Sequence, residues 1–153
     1  MEYQVRVARI TDVERIIALW AAVEPHAAEA ARAATDLLRQ LVYLPQASVL
    51  VAESGRTVVG AAVLALRTSV RAGGNVGVVD LLVADPRHDA ERVAESLATE
   101  ILRSARNKGC AVVESTAPTD GSAPAAWERH GFRPAGPRIE CQIRADRASA
   151  DKG

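Results

Sequence analysis

Asp80 is the only ionisable residue in the apolar run Val76-Gly77-Val78-Val79-Asp80-Leu81-Leu82-Val83. A carboxylate among aliphatic strand residues is either hydrogen-bonded for structural reasons or desolvated. Desolvation raises its pKa towards values useful for proton transfer. Glu114 closes a second apolar run, Cys110-Ala111-Val112-Val113-Glu114, and offers either a second carboxylate for such chemistry or a surface charge at a loop edge. A third group, Arg87, Asp89, Glu91 and Arg92, falls where a long helical pattern begins. His26, His88 and His130 are scattered, without dyad or metal spacing, and read as surface or cap residues, so no metal site is expected. Cys110 and Cys141 have no metal-ligand spacing either and read as buried free thiols, with a disulfide between them as the alternative.

The elements that must position these groups follow from periodicity. Val5 to Arg9 alternates as a half-buried strand. Thr11 with Glu14 three residues later caps a helix whose apolar face is Val13, Ile16, Ile17 and Trp20. An Ala-rich helix runs from Ala27 to Tyr43 and stops before Pro45. Strands over Ser48–Glu53 and Thr57–Leu66 flank the turn Ser54-Gly55-Arg56. After the loop Ser69 to Gly74 comes the strand Val76–Val83, then a helix over Ala90–Asn107 ending at Lys108-Gly109, and at once the strand Cys110–Glu114. That strand–helix–strand unit predicts a parallel pair. A short helix, Ala123 to His130, closes at Gly131, and a last strand covers Arg138 to Arg144. The result is one α+β (α/β) domain over residues 1–144 with the order β-α-α-β-β-β-α-β-α-β, a mixed central sheet flanked by helices. Residues 145–153 are expected to form a disordered tail.

Bulk composition excludes several classes of function. The 153 residues carry 19 Lys+Arg and 19 Asp+Glu, with 48% hydrophobic and 25% charged residues, a globular composition for one domain. Zero net charge gives no basic footprint for nucleic acid, and 3% aromatic residues leave few stacking platforms for bases. No membrane span or signal-like apolar run is present, so a cytoplasmic protein is expected. All the basic residues except Lys108 and Lys152 are arginine, a bias that accompanies GC-rich bacterial genomes.

Three patterns along this element order resemble the GNAT N-acetyltransferases. They are the run Leu81 to His88 leading into a helix, the segment Ala123-Pro-Ala-Ala-Trp-Glu-Arg-His-Gly-Phe132, and the opening strand with Thr11-Asp12. The resemblance covers Val5 to Ile143 and implies an acyl-CoA N-acyltransferase fold. In it, two parallel strands splay and the pantetheine arm of acetyl-CoA pairs with Leu81, Leu82 and Val83. The diphosphate is expected on the N-terminus of the long helix, at Arg92, Val93 and Ala94 with Arg87 reaching round. Family members place Arg or Gln, two residues, Gly, one residue, then Gly or Ala at this turn. Here Asp89 stands at the first slot and Arg92 at the glycine, and only Ala94 matches. Asp89 and Glu91 satisfy the helix dipole themselves and repel a diphosphate.

The same resemblance assigns Asp80 as general base for the attacking ammonium, with Glu114 as second candidate. It aligns Asp120 with a residue that orients the cofactor arm, although Asp120-Gly121 also reads as a plain turn. Trp127 aligns with a tyrosine that protonates the departing thiolate; an indole lacks that acidity, and its other reading is packing of the helix onto the sheet. The implied activity is acetyl transfer from acetyl-CoA to an amine of a small molecule or peptide. The alternatives are a non-catalytic module that binds a ligand or protein, or the fold turned to a different acyl reaction. Neither nucleic acid nor membrane is an expected partner, whereas a homodimer is, because many relatives pair.

Overall fold

Strand-forming Val, Leu and Ala segments build one five-stranded sheet in the order β1-β2-β3-β4-β5. In the computed structural model, which describes residues 3–24, 27–115, 125–136 and 140–143, the strands are β1 (Gln4–Val7), β2 (Ala47–Ser54), β3 (Thr57–Ser69), β4 (Gly74–Ala84) and β5 (Cys110–Ser115). β1 to β4 pair antiparallel, and β5 lies parallel to β4, as the strand–helix–strand reading requires. The helices are α1 (Val13–Val23), α2 (Ala27–Leu41), α3 (Ala90–Asn107) and α4 (Ala125–Arg129).

The sheet separates two apolar cores. On one face α3 buries Val93, Leu97, Ala98, Ile101 and Ala105 against Leu50, Ala62 and Leu64 of the sheet. On the other, α1 buries Val13, Ile16 and Leu19, and α2 adds Leu38, against Val49, Val51, Ala61 and Val63. Leu19 belongs to the α1 stripe that the sequence reading assigned to Val13, Ile16, Ile17 and Trp20; the last two are only partly buried.

Two expectations about the ends of the chain need correction. Thr11 does not cap α1: residues Ile10–Asp12 form a 3-10 turn, and the Asp12 carboxylate turns back to accept from the Arg9 amide at 2.7 Å and from Arg6 Nη1 at 2.7 Å. Arg6 also donates from Nε to Glu53 at 2.9 Å, so this charge cluster ties β1 to β2 and to the start of α1. Residues 140–143 show no strand, and the rest of the expected last strand lies outside the described residues.

Two irregularities in the ladders decide where side chains face. In β3, Val59 is an extra residue between the pairs Ala52–Gly60 and Glu53–Val58. In β4, Asp80 is the extra residue between Val63–Leu81 and Leu64–Val79, a bulge that exchanges the faces of the strand. Before the bulge Val79 packs on the α3 side. After it Leu82 and Ala84 do, while Leu81 and Val83 turn to the α1/α2 side.

The first irregularity brings α3 hard against the sheet at Gly60, where an added Cβ would lie 2.5 Å from Val93 Cγ1 and 3.0 Å from the Val83 carbonyl oxygen. Because backbone lines one side of that space, Gly60→Ala is expected to destabilise the fold by about 1–3 kcal/mol in urea unfolding.

Candidate active site

Among the described residues the β4–β5 ladder runs to Val79–Ser115, and β4 continues to Ala84 paired with β3 on its other side. Among those residues, the backbone of 80–84 has no partner on the β5 side. Such an unpaired length of strand edge is a geometry suited to an extended ligand with amide groups. Leu81, Leu82 and Val83, expected to pair with a cofactor arm, lie on this length.

Asp80 sits at its start. Contrary to the expectation of burial, the bulge turns its side chain out of the sheet, and the residue is exposed. Its carboxylate has no hydrogen-bond or ion-pair partner among the described residues. It lines a cleft of about 220 Å³ on the α1/α2 face, with Val63 and Leu81 from the sheet, Ile17, Trp20 and Glu24 from α1 and its C-cap, and leucines of α2. Glu24 is held there by Trp20, whose Nε1 donates to Oε2 at 2.7 Å. The sequence alone assigns neither Trp20 nor Glu24 to the site. Their spacing of four on a helix is the only local signal that they meet.

The N-terminus of α3 is occupied by its own cap. Asp89 Oδ1 accepts from the Arg92 amide at 3.2 Å, and the Asp89 carbonyl accepts from the Val93 amide at 3.0 Å. The Val93 side chain is fully buried in the α3 core. Val93 thus has neither its side chain nor its N–H free for a ligand, which corrects its place among the expected phosphate contacts. Ala94 is half-buried one position further on. Arg129 Nη2 bridges Glu91 at 3.1 Å and Glu95 at 2.9 Å, neutralising part of the acidic charge of this end. The guanidinium of Arg92 is exposed and has no partner among the described residues.

Arg87, expected to reach towards phosphates, is instead folded onto Asp85: Nε donates to Oδ1 at 3.2 Å and Nη2 to Oδ2 at 3.0 Å. The same carboxylate accepts from the Arg87 amide at 3.0 Å and from Arg15 Nη2 of α1 at 3.2 Å. Asp85 is 2% exposed, so this pairing resolves the one deeply buried charge at the end of β4. The Asp85-Pro86-Arg87 sequence did carry a signal for it, since an Asp that accepts from an amide two residues on makes a turn of its own.

The remaining expected site residues lie apart. Glu114 is half-exposed and accepts from Arg67 Nη2 at 3.1 and 3.2 Å, as in its surface-charge reading. Trp127 is 8% exposed in the α3 core and meets Phe132 edge-on at 4.6 Å, as in its packing reading. Asp120 and His26 lie outside the described residues. Both cysteines are free, but Cys141 is exposed, because residues 140–143 pack into no element. Cys110 is half-buried, and desolvation pushes its thiol pKa up. Among the described residues no His, Cys, Asp and Glu group is arranged to hold a metal ion, and no helix is long and apolar enough to cross a membrane.

A family model described as the acetyltransferase (GNAT) family matches residues 13–132. The fold is similar to an integron cassette protein, HFX_CASS3, from the mobile metagenome of Cole Harbour Salt Marsh. That likeness has a TM-score of 0.79 and 23% identity over 94% of this chain and 91% of the other. Aminoglycoside N-acetyltransferase AAC(6')-Iy in complex with CoA aligns with a TM-score of 0.79 and 18% identity, over 94% of this chain and 96% of the other. A predicted acetyltransferase with acetyl-CoA from Clostridium acetobutylicum gives 0.74 and 12%, over 93% and 97%. At these identities the likeness is one of fold. No match was found among curated proteins.

Asp85 gives the site a testable anchor. The Arg87 side chain and amide hold its carboxyl well below the usual carboxylate range. A carboxyl depressed in the folded state contributes stability above its unfolded pKa, about 3.9, and loses it as the pH falls further. Asp85→Asn is expected to cost about 1–3 kcal/mol at pH 7. The gap from the parent chain, measured by urea unfolding, should shrink as the pH is lowered below about 4.

Proposed function

Because the chain belongs to the GNAT acetyltransferase family, we propose that it transfers an acetyl group from acetyl-CoA to an amine of a small molecule or peptide. The observation that carries this reading is the edge of β4 over residues 80–84, unpaired on the β5 side among the described residues and adjoining a cleft lined by a free carboxylate. The residues present fit the donor's arm along Leu81, Leu82 and Val83, whose alternate backbone groups face the side that is unpaired among the described residues. At the diphosphate end they fit through the side chain of Arg92 rather than through a glycine turn, because Asp89 already takes the Arg92 amide. The neighbouring structures with CoA and acetyl-CoA support the same choice of donor.

When bound, the donor supplies an acetyl thioester whose C–S bond breaks as the acceptor nitrogen forms the new C–N bond. Asp80 takes a proton from the acceptor ammonium, directly or through one water, and releases it to solvent. An exposed carboxylate on a strand bulge suits that relay: it is fixed by the ladder on both sides yet open to water. Trp127, packed in the core, takes no part in proton transfer. With no side-chain acid there among the described residues, this chain would leave protonation of a thiolate leaving group, reference pKa about 8.5, to solvent. A second reading, a module that binds without transfer, is favoured by the self-capped start of α3. Titration of the donor separates the two.

Calorimetric titration with acetyl-CoA is expected to show micromolar binding. Absence of both heat and thermal shift at millimolar donor would overturn the reading. Arg92→Ala should weaken binding about tenfold, the value of one charge-assisted contact. Asp89→Asn, which keeps the cap but removes a charge worth about 0.3–1 kcal/mol, should tighten it about two- to fivefold at low salt. With an amine that is turned over, Asp80→Asn should lower the transfer rate roughly 10²- to 10⁴-fold without changing acetyl-CoA binding.

A further inference from the structure

The cleft beside Asp80 has a composition that narrows the acceptor. Among the described residues, its lining apart from Glu24 and Asp80 is apolar or aromatic and includes no cation. Its volume of about 220 Å³ falls below the roughly 300–1,000 Å³ usual for drug-sized ligands. Leu37 at its rim is 55% exposed, extending the apolar wall towards solvent. The two carboxylates differ in what they can do. Asp80 has no partner among the described residues, whereas Glu24 is oriented by the Trp20 indole at 2.7 Å.

We propose that this cleft binds a small primary amine with one positive charge and an apolar body, an alkylamine or arylalkylamine, and rejects polyhydroxylated, multiply charged amines. The inference rests on the acetyl-transfer reading above and goes beyond it. The body lies against Ile17, Trp20, Leu38, Leu41 and Leu81, removing apolar surface from water. The ammonium lies at the carboxylate end, where Asp80 and Glu24 supply the charges of the wall among the described residues. A hydroxyl-rich aminosugar placed here leaves its polar groups facing leucine side chains without hydrogen-bond partners, a cost that disfavours binding. Glu24 touches the amine but not the proton-transfer path. Its role is selection by charge, with Trp20 fixing its rotamer.

The test is calorimetric, without donor, so that it reads acceptor binding alone. Hexylamine and 2-phenylethylamine are the probes, with hexan-1-ol, spermidine and neamine as comparators. Hexylamine and 2-phenylethylamine are expected to bind at least tenfold more tightly than each comparator. Glu24→Gln should weaken hexylamine at least fivefold. Leu37→Lys, which sets a cation at the exposed rim without entering the core, should weaken it at least threefold, and circular dichroism should show both variants folded. Equal binding of hexan-1-ol would show an apolar groove indifferent to charge. Equal or tighter binding of spermidine or neamine would show that charge alone selects. Either result overturns the proposal, as does failure of both probe amines to bind. If acetyl-CoA binds and another amine is acetylated while both probes fail, only this inference falls. If acetyl-CoA itself does not bind, the transfer reading falls with it.

Discussion

One extra residue in β4 sets the geometry on which the site depends. A strand shows alternate side chains to alternate faces, so inserting Asp80 into the ladder reverses the assignment of everything after it. Without the bulge, Leu82 and Ala84 would leave the α3 core and Leu81 and Val83 the other one. With it, both cores stay filled along the whole strand, and the inserted residue itself is the one that belongs to neither. That is why a carboxylate is tolerated in an otherwise aliphatic run. Among the described residues, the β4 edge that follows the bulge has no partner on the β5 side, so the free carboxylate stands at the start of that length of strand.

Charge at this end of the molecule is arranged in closed accounts with one exception. Asp85 is paired with Arg15 and Arg87, Glu91 and Glu95 share Arg129, and Asp89 accepts from the amide of Arg92. The Arg92 guanidinium extends into solvent without a partner among the described residues. The zero net charge of the sequence is therefore mirrored locally, with the Arg92 cation left free beside the start of α3. The α1/α2 face differs: Asp80 and Glu24 stand in an apolar cleft with no cation in its wall among the described residues. The cleft thus carries negative charge, whereas at the start of α3 the carboxylates of Asp89, Glu91 and Glu95 offset the guanidinium groups of Arg92 and Arg129.

Much of the fold was legible in the sequence because it follows from short-range periodicity. The bounds of α3, Ala90–Asn107, and the parallel pair around it follow from a regular apolar stripe ending at Lys108-Gly109. The site was less legible, since bulges and caps depend on pairing partners that lie far along the chain. Asp80 stands out in the sequence as a lone carboxylate in an apolar run, but its exposure depends on the register against Val63 and Leu64. Arg87 and Val93 look available on a linear reading; in three dimensions one is recruited by Asp85 and the other by the core. No local motif marks Glu24 and Trp20, because their place beside Asp80 comes from the packing of α1 and α2 over the sheet.

The central claim is that the edge of β4 beyond the bulge receives the donor's arm. Amide hydrogen exchange with and without acetyl-CoA tests it directly, because an arm lying along the strand hydrogen-bonds alternate backbone amides in residues 80–84. The account predicts slower exchange in that segment on adding acetyl-CoA, with β1 and β2 unchanged. Acetyl-CoA binding that protects another segment and leaves residues 80–84 exchanging as before would contradict it.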